Sequence, residues 1–238
     1  MKRDVGQRFG DSSATYDGAA TVQRSAALRL AADAAPWLPL RASVLEIGCG
    51  TGTLTEAVAL ACHPRRIILN DLSGKMLSAA IGRARRLAPE ADVTSLEADA
   101  ETAAWPTADA IVSASAAQWF TRPLTFAAKA AQALPHGGTV ALVTYGPQTF
   151  KELRGGRPNR YPTLEEWSSE FKKNGFDVKL ADRAFEAQCF ASRTSMLRMM
   201  ALSGIGTRLP GQSTANIAGA SELTWEVLSL VAVLAPRR

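Results

Sequence analysis

The stretch Leu45-Glu46-Ile47-Gly48-Cys49-Gly50-Thr51-Gly52 constrains this chain more than any other feature. A short run of β-forming residues, Ser43–Ile47, ends in alternating glycines, and a helical pattern from about Leu54 to Ala61 follows. Glycine is needed where the backbone takes conformations that a side chain forbids, or where it comes very close to a ligand. A strand, glycine turn and helix in that order open a parallel sheet that binds ligands at its strand ends, although structural turns between strand and helix use glycine as well.

The alternation continues downstream. Arg66–Asn70 reads as a strand ending at Asp71, with a helix through about Leu87; Val93–Leu96 is a weak strand and Asp109–Ser113 a stronger one. An amphipathic helix over 123–134 and a strand at Thr139–Val143 follow. Strands alternating with helical segments predict an α/β fold with a mostly parallel sheet covered on both faces. Upstream, Val22, Ala26, Leu30 and Ala34 lie four apart, so 12–35 reads as one helix, ended by Pro36 and Pro39. From about residue 146 the pattern changes. Gly155–Asn159 is a loop, and Thr163 with Glu166 forms a capping box for a helix over Leu164–Asn174, stopped by Gly175. A strand around Asp177–Leu180 and a helix over 192–204 follow, and Thr224–Leu234 is an apolar closing element that suits either type.

Composition narrows the function classes. A chain of 238 residues can bury one sizeable core. No apolar stretch approaches the roughly 20 residues that span a bilayer, and the polar segment Lys2–Arg8 is followed by no secretory-type apolar region. The expected location is the cytoplasm, with no membrane partner. Three scattered cysteines and two histidines lack paired spacing, so neither a metal site nor a disulfide framework is expected. The net charge of +5 favours an anionic partner.

Two acids extend the glycine turn into a nucleoside site. Asp71 ends the next strand, where a carboxylate can accept from both hydroxyls of a ribose, and Asp99 follows the third strand, within reach of an adenine amino group. The glycines run Gly-x-Gly-x-Gly rather than the Gly-x-Gly-x-x-Gly that sets a helix amino terminus under a pyrophosphate. Glu46, just before the turn, would repel a diphosphate but suits a cationic sulfonium and its ammonium group. The expected ligand is therefore S-adenosylmethionine (SAM) rather than a nicotinamide dinucleotide.

Over residues 43–145 this arrangement resembles the class I SAM-dependent methyltransferases. That resemblance implies a doubly wound, mostly parallel seven-stranded Rossmann-like sheet with helical lid elements. It reads as one domain over 1–238, with 1–35 and about 146–222 supplying lid and substrate-binding elements. It also places Gly48, Gly50, Gly52, Leu72, Met76, Ala100 and Ser113 around the cofactor, beside Glu46, Asp71 and Asp99. More narrowly, Phe9-Gly10, Tyr16-Asp17, Gln23-Arg24, Asp71-Leu72-Ser73, Met76-Leu77 and Ala117-Gln118-Trp119 resemble the malonyl-acyl-carrier-protein O-methyltransferases of biotin synthesis. So do Thr144–Arg154, Asn159-Arg160-Tyr161 and Leu223–Val227.

That family implies methyl transfer to the free carboxyl of a malonyl thioester on acyl carrier protein, with malonyl-CoA as the alternative donor of the malonyl group. The carboxylate is ionised at neutral pH, so no general base is required. The expected cation for it is Arg154, with Arg160 second, because a guanidinium holds a carboxylate in a fixed fork. Tyr16, Gln118 and Trp119 are expected to wall the transfer pocket. Lys151, Arg154, Arg157 and Arg160, with Lys172, Lys173, Arg193, Arg198 and Arg208, are expected to face the acidic carrier. The chain departs from the family pattern by shortened stretches at 154–159 and 208–223 and by Ala201 where a lysine is expected. A methyltransferase for another small carboxylate such as trans-aconitate or for a quinone, and a non-methylating SAM-fold protein, are the alternatives. A nucleic-acid substrate is not expected: Ser113-Ala114-Ser115-Ala116 stands where an Asn-Pro-Pro-Tyr-type motif would follow the fourth strand.

Overall fold

The computed structural model describes residues 6–7, 9–11, 13–154 (Arg154 for its backbone alone), 160–203 and 221–236. Seven strands form one sheet in the order β3-β2-β1-β4-β5-β7-β6. They are β1 (Ser43–Ile47), β2 (Arg66–Asp71), β3 (Asp92–Glu97), β4 (Ala110–Ala114), β5 (Thr139–Tyr145), β6 (Phe176–Cys189) and β7 (Glu222–Leu234). β1 to β5 pair in parallel, whereas β7 runs antiparallel to both β5 and β6. The mixed seven-stranded sheet matches the expected fold class. Strand order reverses between β1 and β4, which opens a crevice at their carboxyl ends.

Every residue of β1 and of β5 is buried, as expected of central strands covered on both faces. The helices are α1 (Tyr16–Ala19), α2 (Thr21–Ala34), α3 (Thr53–Cys62), α4 (Gly74–Leu87), α5 (Thr125–Ala133), α6 (Leu164–Lys173) and α7 (Arg193–Leu202). On one face, α2, α3 and α7 cover Val44, Val112, Val143 and Val231; on the other, α5 and α6 set Phe126, Trp167 and Phe171 against Leu45, Ile111 and Leu142. Alanines at 26, 27, 31 and 34 make the buried side of α2, and their small side chains let it lie close to the sheet.

The segment read as one helix over 12–35 is two. The backbone of Ala20 (φ −87°, ψ 50°) leaves the helical region between α1 and α2, and the break turns α1 over the strand ends. The capping box at Thr163 and Glu166 is present as expected. The strand expected near Asp177–Leu180 is much longer, and the apolar element Thr224–Leu234 is β7, inserted between β5 and β6. β3 reads weakly because it is an edge strand with no fully buried residue. Among the described residues no helix is long and apolar enough to cross a membrane.

Candidate active site

The glycine turn holds its shape through backbone angles and neighbours. Gly48, Gly50 and Gly52 all have positive φ (68°, 52° and 95°). A Cβ on Gly48 would collide with that of Ala116 on the β4 exit, and one on Gly52 would lie 2.9 Å from Cα of Ala80 on α4. At Gly50 nothing stands within 4 Å of the missing Cβ. Gly48 and Gly52 therefore answer to packing, and Gly50 alone leaves open space.

Asp71 fixes the turn from the side. Its carboxylate accepts the Gly50 N–H at 2.9 Å and the Ser73 N–H at 2.9 Å, while Ser73 caps α4. Burial pushes the Asp71 carboxyl above its ordinary range. Glu46, 2% exposed, accepts from the Thr55 hydroxyl at 2.5 Å, and burial raises its pKa to about 8, with the charge of Asp71 adding to the shift. Neither carboxylate forms an ion pair with a Lys or Arg among the described residues. A buried and a half-buried acid in each other's field, without an ion-pair partner among the described residues, favour a ligand that brings positive charge.

Three adjoining cavities meet here. The first runs along Gly48, Gly50, Asp71, Leu72, Met76, Asp99 and Ala100 to Ala114, Ser115, Ala116 and Trp119. A second lies over Glu46, Cys49 and Thr51, with Gln23 and Arg24 of α2 opposite. The third extends from Gln118 and Trp119 to Tyr145, Phe150, Tyr161 and Trp225. Tyr16 and Ser115 line all three. The ring of Phe9 meets those of Tyr16 and Trp119 edge-on, at 6.0 and 5.7 Å between centroids, and closes the first cavity from above the sheet. Asp17 accepts from the Thr51 hydroxyl at 2.5 Å and pairs with Arg83, which ties α1 to the glycine turn and to α4.

Residues 44–138 match the family model of a methyltransferase domain. The fold is similar to that of a candidate methyltransferase from Bacillus halodurans, with a TM-score of 0.65 at 18% identity over 88% of this chain and 99% of that one. It is also similar to the 4+2 cyclase SpnF, with a TM-score of 0.56 at 18% identity over 88% of this chain and 82% of that one, so fold alone leaves the chemistry open. Sequence is more specific. The chain is 28% identical over 208 residues to a malonyl-acyl-carrier-protein O-methyltransferase of Bacteroides thetaiotaomicron, covering 86% of this chain and 78% of the relative. To the protein of the same name from Brevibacillus brevis it is 31% identical over 204 residues, covering 76% of this chain and 72% of the relative. The chain belongs to the malonyl-acyl-carrier-protein O-methyltransferase family.

Within this methyltransferase the sequence-predicted residues divide. Gly48, Gly50, Asp71, Leu72, Met76, Asp99 and Ala100 line the first cavity, Glu46 the second, and Tyr16, Gln118 and Trp119 the third. Gln118 is also engaged internally: its Nε2 donates to the Ser115 carbonyl at 2.6 Å and its Oε1 accepts from Thr144. Gly52 lines none of the three. Ser113 lies beneath the crevice, fully buried, donating to the Ile47 carbonyl at 2.9 Å. The residue that faces the cavities is Ser115, two positions on, because the chain leaves the sheet there with φ 57°. Strand alternation carries no sign of that turn. Lys151 and Arg160 do not line the third cavity; they flank Phe150 and Tyr161, which do. The Arg154 side chain, Gly155–Asn159 with Arg157, Arg208 and the turn at 204–206 lie outside the described residues.

Sequence reasoning gave no site role to Phe9, Gln23, Arg24, Ser115 or Tyr145. Phe9-Gly10, Gln23-Arg24 and Tyr145, within Thr144–Arg154, stood out only by family resemblance, and nothing pointed to Ser115.

Proposed function

We propose that the protein transfers the methyl group of SAM to the free carboxyl of a malonyl group carried on acyl carrier protein, the methylation that serves biotin synthesis. The observation that carries the reading is the meeting of three cavities on Tyr16 and Ser115, one suited to each part of the reaction. The first suits the nucleoside: Asp71 and Asp99 face it as acceptors, Gly50 leaves it room, and Leu72 and Met76 give an apolar wall. The second suits the methionyl end, with Glu46 for the ammonium and Arg24 for the carboxylate. The third receives the acceptor, against Trp119 and Tyr161.

SAM supplies an electrophilic methyl group on a sulfonium. Attack by a carboxylate oxygen forms the C–O bond as the C–S bond breaks, so two opposite charges cancel and no proton moves. What the protein contributes is alignment of that oxygen with the methyl group, about 3–3.5 Å away, and exclusion of water. Tyr16, Trp119 and Phe9 close the junction, and α1 with the segment after residue 146 acts as its lid. Lys151 and Arg160, next in sequence to Phe150 and Tyr161 but outside the cavity lining, are read as contacts for the acidic carrier, and Arg154 remains the candidate cation for the carboxylate.

Purified protein with SAM is expected to form methyl ester on malonyl-acyl carrier protein and to restore growth of a biotin auxotroph lacking this step. Methylation of trans-aconitate or a quinol in preference to the malonyl carrier would replace the reading. SAM binding without transfer to any of them would favour a non-methylating role, as the cyclase fold allows.

Glu46 gives a second expectation. In the free protein it is largely protonated at pH 7, since burial places its pKa at about 8. A cation beside it favours the carboxylate, so SAM binding at pH 7 is expected to release about one proton. Calorimetry in buffers of different ionisation enthalpy measures this, and Glu46→Gln should abolish the release. Equal proton release by wild type and variant would place the ammonium elsewhere.

A further inference from the structure

The chain contains three tyrosines, Tyr16, Tyr145 and Tyr161, and all three line the acceptor cavity. Its other described polar lining comes from Gln23, Ser115, Gln118 and Thr149, and none of the described lining residues is a lysine or arginine. Among the described residues, the cavity assigned above to the carboxylate acceptor is thus furnished with neutral donors.

Two of these are set against each other. The Ser115 hydroxyl lies 2.7 Å from the Tyr145 hydroxyl, from the ends of β4 and β5 respectively. Ser115 takes the left-handed region, which costs a non-glycine residue about 1–3 kcal/mol, and the surroundings enforce it. Its N–H donates to the Val143 carbonyl at 2.9 Å and its carbonyl accepts from Gln118. That backbone turns the hydroxyl toward the point where the three cavities meet. The Tyr145 ring is locked against Trp225, with centroids 5.1 Å apart. Burial also raises the Tyr145 hydroxyl's pKa, so it stays a proton donor throughout the neutral range.

We propose that the Ser115–Tyr145 hydroxyl pair anchors the acceptor carboxylate by donating to the oxygen that does not attack, with Tyr16 facing it across the junction. The idea rests on the methyl-transfer reading above and assigns its acceptor subsite. The chemistry favours such an anchor. The carboxylate loses its charge as the ester forms, so a guanidinium fork would stabilise the ionic ground state more than the transition state. Neutral hydroxyls fix orientation with less of that penalty. In the resting pair one hydroxyl donates to the other, and an incoming carboxylate oxygen, the stronger acceptor, redirects one or both.

The test uses Tyr145→Phe, which keeps the ring against Trp225, and Ser115→Ala. With protein saturated by S-adenosylhomocysteine, binding of malonyl-pantetheine is expected to weaken about tenfold in each variant, as for loss of one hydrogen bond to a charged group. Binding of its methyl ester, which lacks the charge, and of S-adenosylhomocysteine itself should change less than twofold. Equal weakening toward acid and ester would reduce the pair to a structural role and overturn the proposal. So would wild-type binding by Tyr145→Phe with the loss appearing in Arg154→Ala. If the wild type ignores malonyl-pantetheine but binds trans-aconitate with the same dependence on Tyr145 and Ser115, the malonyl reading fails and the anchor stands. If it binds no carboxylate, both fall.

Discussion

Replacing Gly48 with alanine is expected to lower the melting temperature by about 5–15 °C and to weaken SAM binding more than a hundredfold. Two costs add at this position. The residue has φ 68°, which a side chain adopts at a cost of about 1–2 kcal/mol, and its new methyl group would overlap that of Ala116. Overpacking of this kind typically costs about 1–3 kcal/mol. Ala116 has little room to yield because Ser115 beside it is tethered to Val143 and Gln118. Gly50→Ala separates stability from binding: its Cβ meets nothing within 4 Å, so the stability loss should be smaller while the ligand space is still filled. Thermal melts with titrations of S-adenosylhomocysteine read both quantities. Binding by Gly48→Ala within threefold of wild type would mean that the turn is not part of the cofactor site.

The second large effect is at Asp71. Its carboxylate serves two backbone donors, the N–H groups of Gly50 and Ser73, and still faces the first cavity. In Asp71→Asn one oxygen becomes an amide that cannot accept, so one buried N–H loses its partner, at about 1–3 kcal/mol. The turn and the ribose contact are both disturbed. Affinity for SAM is expected to fall about a hundredfold, in keeping with two lost interactions of about 1.4 kcal/mol each. The wild-type preference for cationic SAM over its neutral thioether product should shrink as well, because a carboxylate facing the first cavity has lost its charge. An unchanged preference would mean that Asp71 takes no part in recognising the sulfonium charge.

How far these positions could be read from sequence depended on how local their physics is. Gly48, Gly50 and Asp71 were legible because strand, turn and acid follow one another at short spacing. The sheet from β1 to β5 was legible for the same reason, since β1, β2 and β4 are each followed by a helix before the next parallel strand. β7 was not, since Leu223–Ala232 is buried throughout and such an element shows no alternation to distinguish strand from helix. The break at Ala20 carries no local signal, because alanine is a strong helix former. Ser115, just past β4, and Tyr145, at the end of β5, lie 30 positions apart, and only the β4–β5 register and a left-handed residue bring their hydroxyls together. The cations ranked first from sequence, Arg154 and Arg160, were chosen by charge, whereas the described cavity lining offers hydroxyls and aromatic rings.

The segment after β5 is bolted to β7 by two carboxylates. Glu152 accepts from the backbone and hydroxyl of Thr224, and Glu226 accepts from the N–H of Gln148 and pairs with Arg183. Thr149 and Phe150, between those bolts, form part of the acceptor wall. The strand that secures this wall comes after β6 in the sequence, yet it sits inside the sheet between β5 and β6. The glycine turn, Asp71 and Asp99 all precede residue 100. During synthesis the nucleoside site therefore has its glycine turn and both acids long before the acceptor wall can close, and a growing chain becomes competent for transfer only once β7 has slotted in between β5 and β6.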